Sequence, residues 1–331
     1  MPKRILPLVF LGGAAWASCP AGAPRLIIYH PGSVSPAFKA LEDLFTRQTG
    51  VCIEDFSGGS VGIARQVTAG GEPCDLLASA DAEIIERMVV PAGFADYCIR
   101  FAGGAMVLAY TTASRNAATI AAPARSAGAV PGAAADWYLQ LAQPGVTIAG
   151  SHPFLDPGGY RAHMVFQLAQ EHYGVRNYYN TMLGHYQIST APGGLGTAFD
   201  YQFTYEHGAR AALKADRTGT YRYVTLPGEV SLGVPGLDSR YGRRGIAVPG
   251  LQSPGAAATV ILPASRVTWG ITLMNGAANR EAALAFLQLL FSDQGKAILQ
   301  AVGPDPVSPP VVSKHDFARL PTVLKALVQP R

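Results

Sequence analysis

Arg25-Leu26-Ile27-Ile28-Tyr29-His30 followed by Pro31-Gly32-Ser33-Val34-Ser35-Pro36 is the stretch on which the fold turns. Its apolar, β-branched and aromatic residues running into a Pro-Gly-Ser step read as a buried strand entering a turn. Residues 37–48 then carry Phe38, Leu41, Leu44 and Phe45 at helical spacing. The unit returns twice. Residues 51–56 form a strand, Ser57-Gly58-Gly59-Ser60 a turn, and residues 61–69 a helix with Ile63 and Val67 inward, while 75–78 and 82–89 give a third strand and helix. Strands alternating with helices predict an α/β fold with a mostly parallel sheet, whose ligands bind beyond the carboxyl ends of the strands.

Two of those strand ends repeat one chemical feature, a glycine-serine step before a helix: Gly32-Ser33 and Gly59-Ser60. The first N–H groups of a helix have no intrahelical partner, and a hydroxyl beside them completes an anion site. Each serine alone reads as a cap or turn former. Two at equivalent positions of adjacent units point at one spot.

Farther along, Ser151-His152-Pro153-Phe154-Leu155-Asp156-Pro157-Gly158-Gly159-Tyr160-Arg161 leads into a long helix with Met164, Val165, Leu168 and Tyr173 on its apolar side. Asp156 before Pro157 has the form of a helix N-cap, and a cap can also contact a ligand. His163 and His172 are expected on the exposed face of that helix. Thr197-Ala198-Phe199-Asp200-Tyr201-Gln202-Phe203-Thr204-Tyr205-Glu206 is an aromatic, strand-like run, and residues 226–262 are a Gly/Pro-rich loop. Residues 267–273 and the helix 280–291 return to the style of the opening section. The chain therefore leaves one α/β lobe (18–110 and 267–331), builds a second (111–266) and returns across a two-stranded hinge. Such lobes form a cleft that can close.

The N-terminus reads as a secretory signal over residues 1–17: Lys3 and Arg4, a short apolar stretch, then Ala15-Trp16-Ala17 at the cleavage site. The apolar run is too short for a membrane span. Ala17-Ser18-Cys19 also fits the end of a lipobox, which would anchor the chain through Cys19. The mature chain is expected in the periplasm, where Cys19, Cys52, Cys74 and Cys98 can form disulfides in any of three full pairings. The cysteine spacings match no zinc pattern, none of the seven histidines forms an H-E-x-x-H motif, and no free metal ion or cofactor is expected. Losing Lys3 and Arg4 lowers the net charge from +4 to +2. That balance excludes a nucleic-acid footprint, and with 49% hydrophobic residues over 331 positions the chain is a globular protein large enough for two cores.

The order and spacing of these pieces resemble the periplasmic solute-binding proteins of ABC importers, in their molybdate/tungstate-binding branch. The matching residues are Gly32-Ser33, Gly59-Ser60-Val61, Asp75 with Ser79-Ala80-Asp81, Phe101 with Met106 to Tyr110, Asp156-Pro157-Gly158-Gly159-Tyr160-Arg161, Asp200-Tyr201 with Phe203 and Tyr205, and Gly270-Ile271-Thr272. The resemblance implies the two-lobed periplasmic-binding-protein fold of type II. It also implies a molybdate or tungstate dianion held by Ser33, Ser60, Asp156, Tyr160, Thr204 and Tyr205, and a monomer that delivers it to an inner-membrane permease with a cytoplasmic ATPase. In that branch an Asp and a Glu reach the metal centre of the oxyanion. The Asp matches Asp156, but the Glu falls at Thr204. Glu206 can substitute from a shifted position, Thr204 can donate to a tetrahedral oxyanion, or the ligand is sulfate, phosphate or another small anion.

An enzyme reading competes. Gly58-Gly59-Ser60-Val61-Gly62 fits the G-x-S-x-G elbow of serine hydrolases, with Ser60 as nucleophile, Asp156 or Asp200 as orienter and His207 as base. Only one mature strand precedes this Ser, whereas that fold places several before its elbow.

Overall fold

The computed structural model describes residue 19 and residues 25–120, 136–189 and 194–331. The expected signal segment lies outside the described residues. Among the described residues, fourteen strands, β1 (Arg25–Pro31), β2 (Cys52–Gly58), β3 (Leu76–Ser79), β4 (Ile99–Gly104), β5 (Met106–Thr111), β6 (Ile148–Gly150), β7 (Tyr186–Ile188), β8 (Tyr201–Tyr205), β9 (Tyr221–Thr225), β10 (Gly245–Pro249), β11 (Thr259–Pro263), β12 (Val267–Leu273), β13 (Asp305–Val312) and β14 (Gln329–Pro330), make two main sheets and a hairpin. The first sheet has the order β14-β13-β4-β12-β3-β1-β2, the second β7-β6-β8-β5-β9, and β10-β11 stand apart. Each main sheet centres one lobe.

The opening section behaves as its pattern demands. β1 pairs in parallel with β2 and with β3, and the helix Ser35–Thr49 buries Ala37, Phe38, Leu41 and Phe45 against them. Phe38 packs near Phe101 and Phe286, at centroid separations of 6.3 and 6.0 Å. Burying a side chain of that size is worth about 1.5–3 kcal/mol. The helix ends at Gly50, whose φ of 72° is the left-handed conformation glycine adopts without strain.

Two expectations are corrected. The sheets are mixed rather than mostly parallel: β12 runs antiparallel to both β3 and β4, and β5 is antiparallel to β8 and β9. The hinge requires this, because β4 leads out of the first lobe and β12 leads back beside it. The lobe boundary also falls earlier than 110/111. β4 ends at Gly104 and β5 starts at Met106 in the second sheet, so the outward crossing is at Ala105. On the return, β11 ends at Pro263 and β12 of the first sheet begins at Val267.

A disulfide joins Cys19 to Cys52, while Cys74 and Cys98 are free and buried. The bond uses the Cys19 sulfur that a lipid thioether would need, so the lipid-anchor reading of Cys19 is not supported. Among the described residues no helix is long and apolar enough to cross a membrane.

Candidate oxyanion site at the seam between the lobes

The helix Pro157–Tyr173 starts where its sequence predicts, with Asp156 as N-cap accepting from Gly158 N at 2.7 Å and Pro157 in the first turn. Asp156 Oδ1 also accepts from Ser151 Oγ at 2.8 Å. Burial raises its pKa, against the lowering effect of these bonds and of Arg161. The start of this second-lobe helix lies against the start of the first-lobe helix Ser60–Thr68. Leu155 O accepts from Val61 N and Gly62 N at 3.1 and 3.2 Å. The amides that the sequence offers to an anion are therefore occupied by a carbonyl of the opposite lobe. The fit is close enough that a Cβ on Gly59 would lie 2.5 Å from Leu155 O and 3.1 Å from Asp156 Cβ.

The next two residues of the second-lobe helix tie the seam. Tyr160 is fully buried, and its Oη donates to Asp81 Oδ2 at 2.6 Å. Arg161, 1% exposed, donates through Nη1 to Ala80 O at 2.5 Å and to Tyr205 Oη at 3.1 Å, and its Nη2 lies 3.3 Å from Asp81 Oδ1. Burial works against the Arg161 charge, yet Asp81 and the neighbouring phenols hold the guanidinium charged. Burial likewise drives the Tyr160 and Tyr205 hydroxyls far above the ordinary phenol value, so both are hydrogen-bond donors at neutral pH. Arg161 and Asp81 belong to the sequence match, but sequence reasoning did not assign them to the site.

Both candidate serines are engaged in the same sense. Ser60 Oγ accepts from Ala80 N at 2.9 Å and is wholly buried. Ser33 Oγ accepts from Trp269 Nε1 at 3.0 Å. A hydroxyl has one hydrogen to donate, and among the described residues neither serine donates its hydrogen to a protein acceptor. Ser33 joins the seam through its carbonyl, which accepts from His207 Nε2 at 2.9 Å. Burial lowers the His207 pKa, which favours the neutral ring. The His207 ring lies beside Tyr205 and Trp269, at centroid separations of 6.0 and 5.2 Å.

Ser33, Ser60, Asp156, Tyr160 and Tyr205 thus gather along one seam. Thr204 does not join them. Strand residues alternate faces, and β8 buries Tyr201, Phe203 and Tyr205 on one side, whereas Thr204 Oγ1 lies beside Gly208 of the helix Glu206–Ala215. Glu206 is ion-paired with Arg210 at 3.6 Å. His163, expected on a surface, is buried between Phe166, Tyr179 and Tyr186. The hydrolase reading finds no support: Asp200 accepts from Arg115 N, Thr147 N and Thr147 Oγ1, Asp156 from Ser151 and Gly158, and His207 faces Ser33 O. Among the described residues none of these carboxylates orients a histidine toward Ser60.

Comparison with known proteins shows the family of the chain. The family described as bacterial extracellular solute-binding protein matches residues 26–303. The molybdate/tungstate-binding protein of Pyrococcus abyssi is 30% identical, over 92% of this chain and 90% of that one. Among solved structures, the sulfate-binding protein SubI of Mycobacterium tuberculosis superposes with a TM-score of 0.57 at 18% identity, covering 93% of this chain and 92% of that one. The periplasmic molybdate-binding protein of Azotobacter vinelandii gives 0.51 at 18%, covering 85% and 98%. These two likenesses establish the type II two-lobed fold.

Proposed function

Because the chain belongs to the bacterial extracellular solute-binding proteins, in the branch of the molybdate/tungstate-binding relatives, we propose that it captures molybdate or tungstate between its lobes and delivers it to an ABC permease. It is a carrier and catalyses no reaction. The observation that carries the ligand class is the state of the two serines. Ser33 and Ser60 each accept one N–H, which leaves each hydroxyl hydrogen for an anion. Neutral hydroxyl donors suit a dianion, since they stabilise its charge without adding a titrating group of their own.

In this reading the first lobe binds the oxyanion at Ser33 and Ser60. Closure then brings up Asp156 together with the Tyr160 and Arg161 contacts to Asp81 and Ala80. Ligand affinity and lobe closure are one equilibrium, because an anion that prefers the closed form stabilises it by that difference. The closed form is what the permease recognises. The protein acts outside the cytoplasmic membrane after removal of residues 1–17.

Thr204 favours a second reading. Position 204 faces away from the seam, so no second carboxylate from it joins Asp156, the ligand keeps a tetrahedral shell, and sulfate or phosphate becomes the competitor. Trp269 reports on the site, since its indole N–H is bonded to Ser33. Titrating the mature protein with tungstate, molybdate, sulfate and phosphate while following tryptophan fluorescence separates the readings. A saturable change with the first two alone supports the proposal, and a change only with sulfate or phosphate replaces it.

A further inference from the structure

We propose that His30, Glu42 and Asp55 form a site for a divalent transition-metal cation of the zinc type, built into the first lobe apart from the oxyanion seam. The three residues come from β1, from the helix Ser35–Thr49 and from β2. One ligand atom from each lies within 4.8 Å of the others.

The hydrogen-bond accounting points to a cation. His30 is fully buried, and its Nδ1 lies 3.1 Å from Pro31 O. A carbonyl only accepts, so Nδ1 carries the hydrogen, and in the neutral ring Nε2 then presents a lone pair. Nε2 faces Asp55 Oδ2 at 3.1 Å, two acceptors in contact unless a cation, a proton or a metal ion, sits between them. A carbonyl holding one ring nitrogen while the other is left for a metal is the usual second shell of a histidine ligand.

Glu42 supplies a second, independent observation. It is 4% exposed, and its Oε1 is buried with no hydrogen-bond partner. An unpaired buried carboxylate oxygen is costly. The nearest lysine on its helix, Lys39, is already paired with Asp43 at 2.9 Å and does not fill the gap.

One imidazole and two carboxylates match the ligand types that zinc takes at about 2.0–2.2 Å. Bringing the trio to the roughly 3.3 Å spacing of tetrahedral ligands asks for a small inward turn of Glu42. The Asp55 side chain is 33% exposed, which gives the ion an entry path and room for a water ligand. The ion would clamp the helix Ser35–Thr49 to β1 and β2 just before the turn that carries Ser33.

The test uses the mature protein, stripped with a chelator and free of oxyanion, titrated with Zn2+ by calorimetry and followed by thermal melting. The expected result is one bound equivalent, a raised melting temperature that chelator reverses, and at least about 10-fold weaker zinc binding in both His30→Gln and Glu42→Gln. Glu42→Gln keeps the side-chain volume and should bind tungstate as the wild type does, which separates this site from the oxyanion seam. No bound equivalent in the wild type would overturn the proposal and leave a His30–Asp55 ion pair. Undiminished binding in both variants would overturn it in favour of surface histidines.

Discussion

Tyr160 of the second lobe donates its phenolic hydrogen to Asp81 of the first, Oη to Oδ2 at 2.6 Å, with both residues buried. A bond to a charged acceptor is worth about 1.5–3 kcal/mol, and this one exists only while the lobes are together. Tyr160→Phe should therefore weaken oxyanion binding by about 10-fold and leave each lobe folded. Calorimetric affinity beside an unchanged far-ultraviolet circular dichroism spectrum checks this. An unaltered affinity would separate Tyr160 from closure.

Gly59 sets how near the lobes come. A Cβ there would sit 2.5 Å from Leu155 O, a backbone atom with little freedom to move aside. Overpacking of this kind costs about 1–3 kcal/mol. Gly59→Ala should hold the lobes apart, enlarge the radius of gyration seen by small-angle scattering with tungstate present, and lower affinity. A ligand-induced contraction equal to that of the wild type would contradict the close approach.

Arg161 and Asp81 form a buried pair, with side chains 1% and 2% exposed. Removing one partner strands the other charge, at a cost of about 3–5 kcal/mol. Arg161→Met should lower unfolding stability in denaturant by that order, and adding Asp81→Asn should recover part of it. Equal stabilities for the single and double variants would show that the two charges are not coupled.

Asp156 has two roles that one substitution separates. Asparagine caps a helix about as well as aspartate, so Asp156→Asn should leave the melting temperature nearly unchanged. If the carboxylate bonds the metal centre of the oxyanion, tungstate affinity should fall by roughly 10–100-fold. A dianion held only by hydrogen bonds would instead bind the asparagine variant more tightly, because a like charge has gone.

His163 gives the pH dependence. Burial lowers its pKa from 6.5 to about 4, and its Nε2 has no partner. A depressed histidine contributes stability that is fully present above the ordinary value of 6.5 and is lost as pH falls through about 4. Unfolding free energy should decline across that window by up to about 3 kcal/mol on this account, and His163→Phe should flatten the decline. A wild-type profile level between these limits would place the ring in water.

The residues that were legible in the sequence are those whose signals are local. Asp156 before Pro157 announced its cap, and the strand Val267–Leu273 and the helix Arg280–Phe291 have the bounds their patterns imply. The clustering of Ser33, Ser60 and Tyr205 could be anticipated from strand ends and resemblance. The Arg161 network could not, because its partners lie far along the chain, Tyr205 in its own lobe and Ala80 and Asp81 in the other, where only closure brings them to it. The resemblance puts Thr204 in the site, but alternation along β8 turns it away from the seam. His30, Glu42 and Asp55 follow no spacing motif, since each comes from a different element.

The account rests on a dianion bound at the seam, and calorimetry of the mature, anion-free protein tests it most directly. Tungstate and molybdate should each bind with a dissociation constant below about 1 μM at one site, with sulfate and phosphate silent. Silence for all four, or heat from sulfate and phosphate alone, would contradict it.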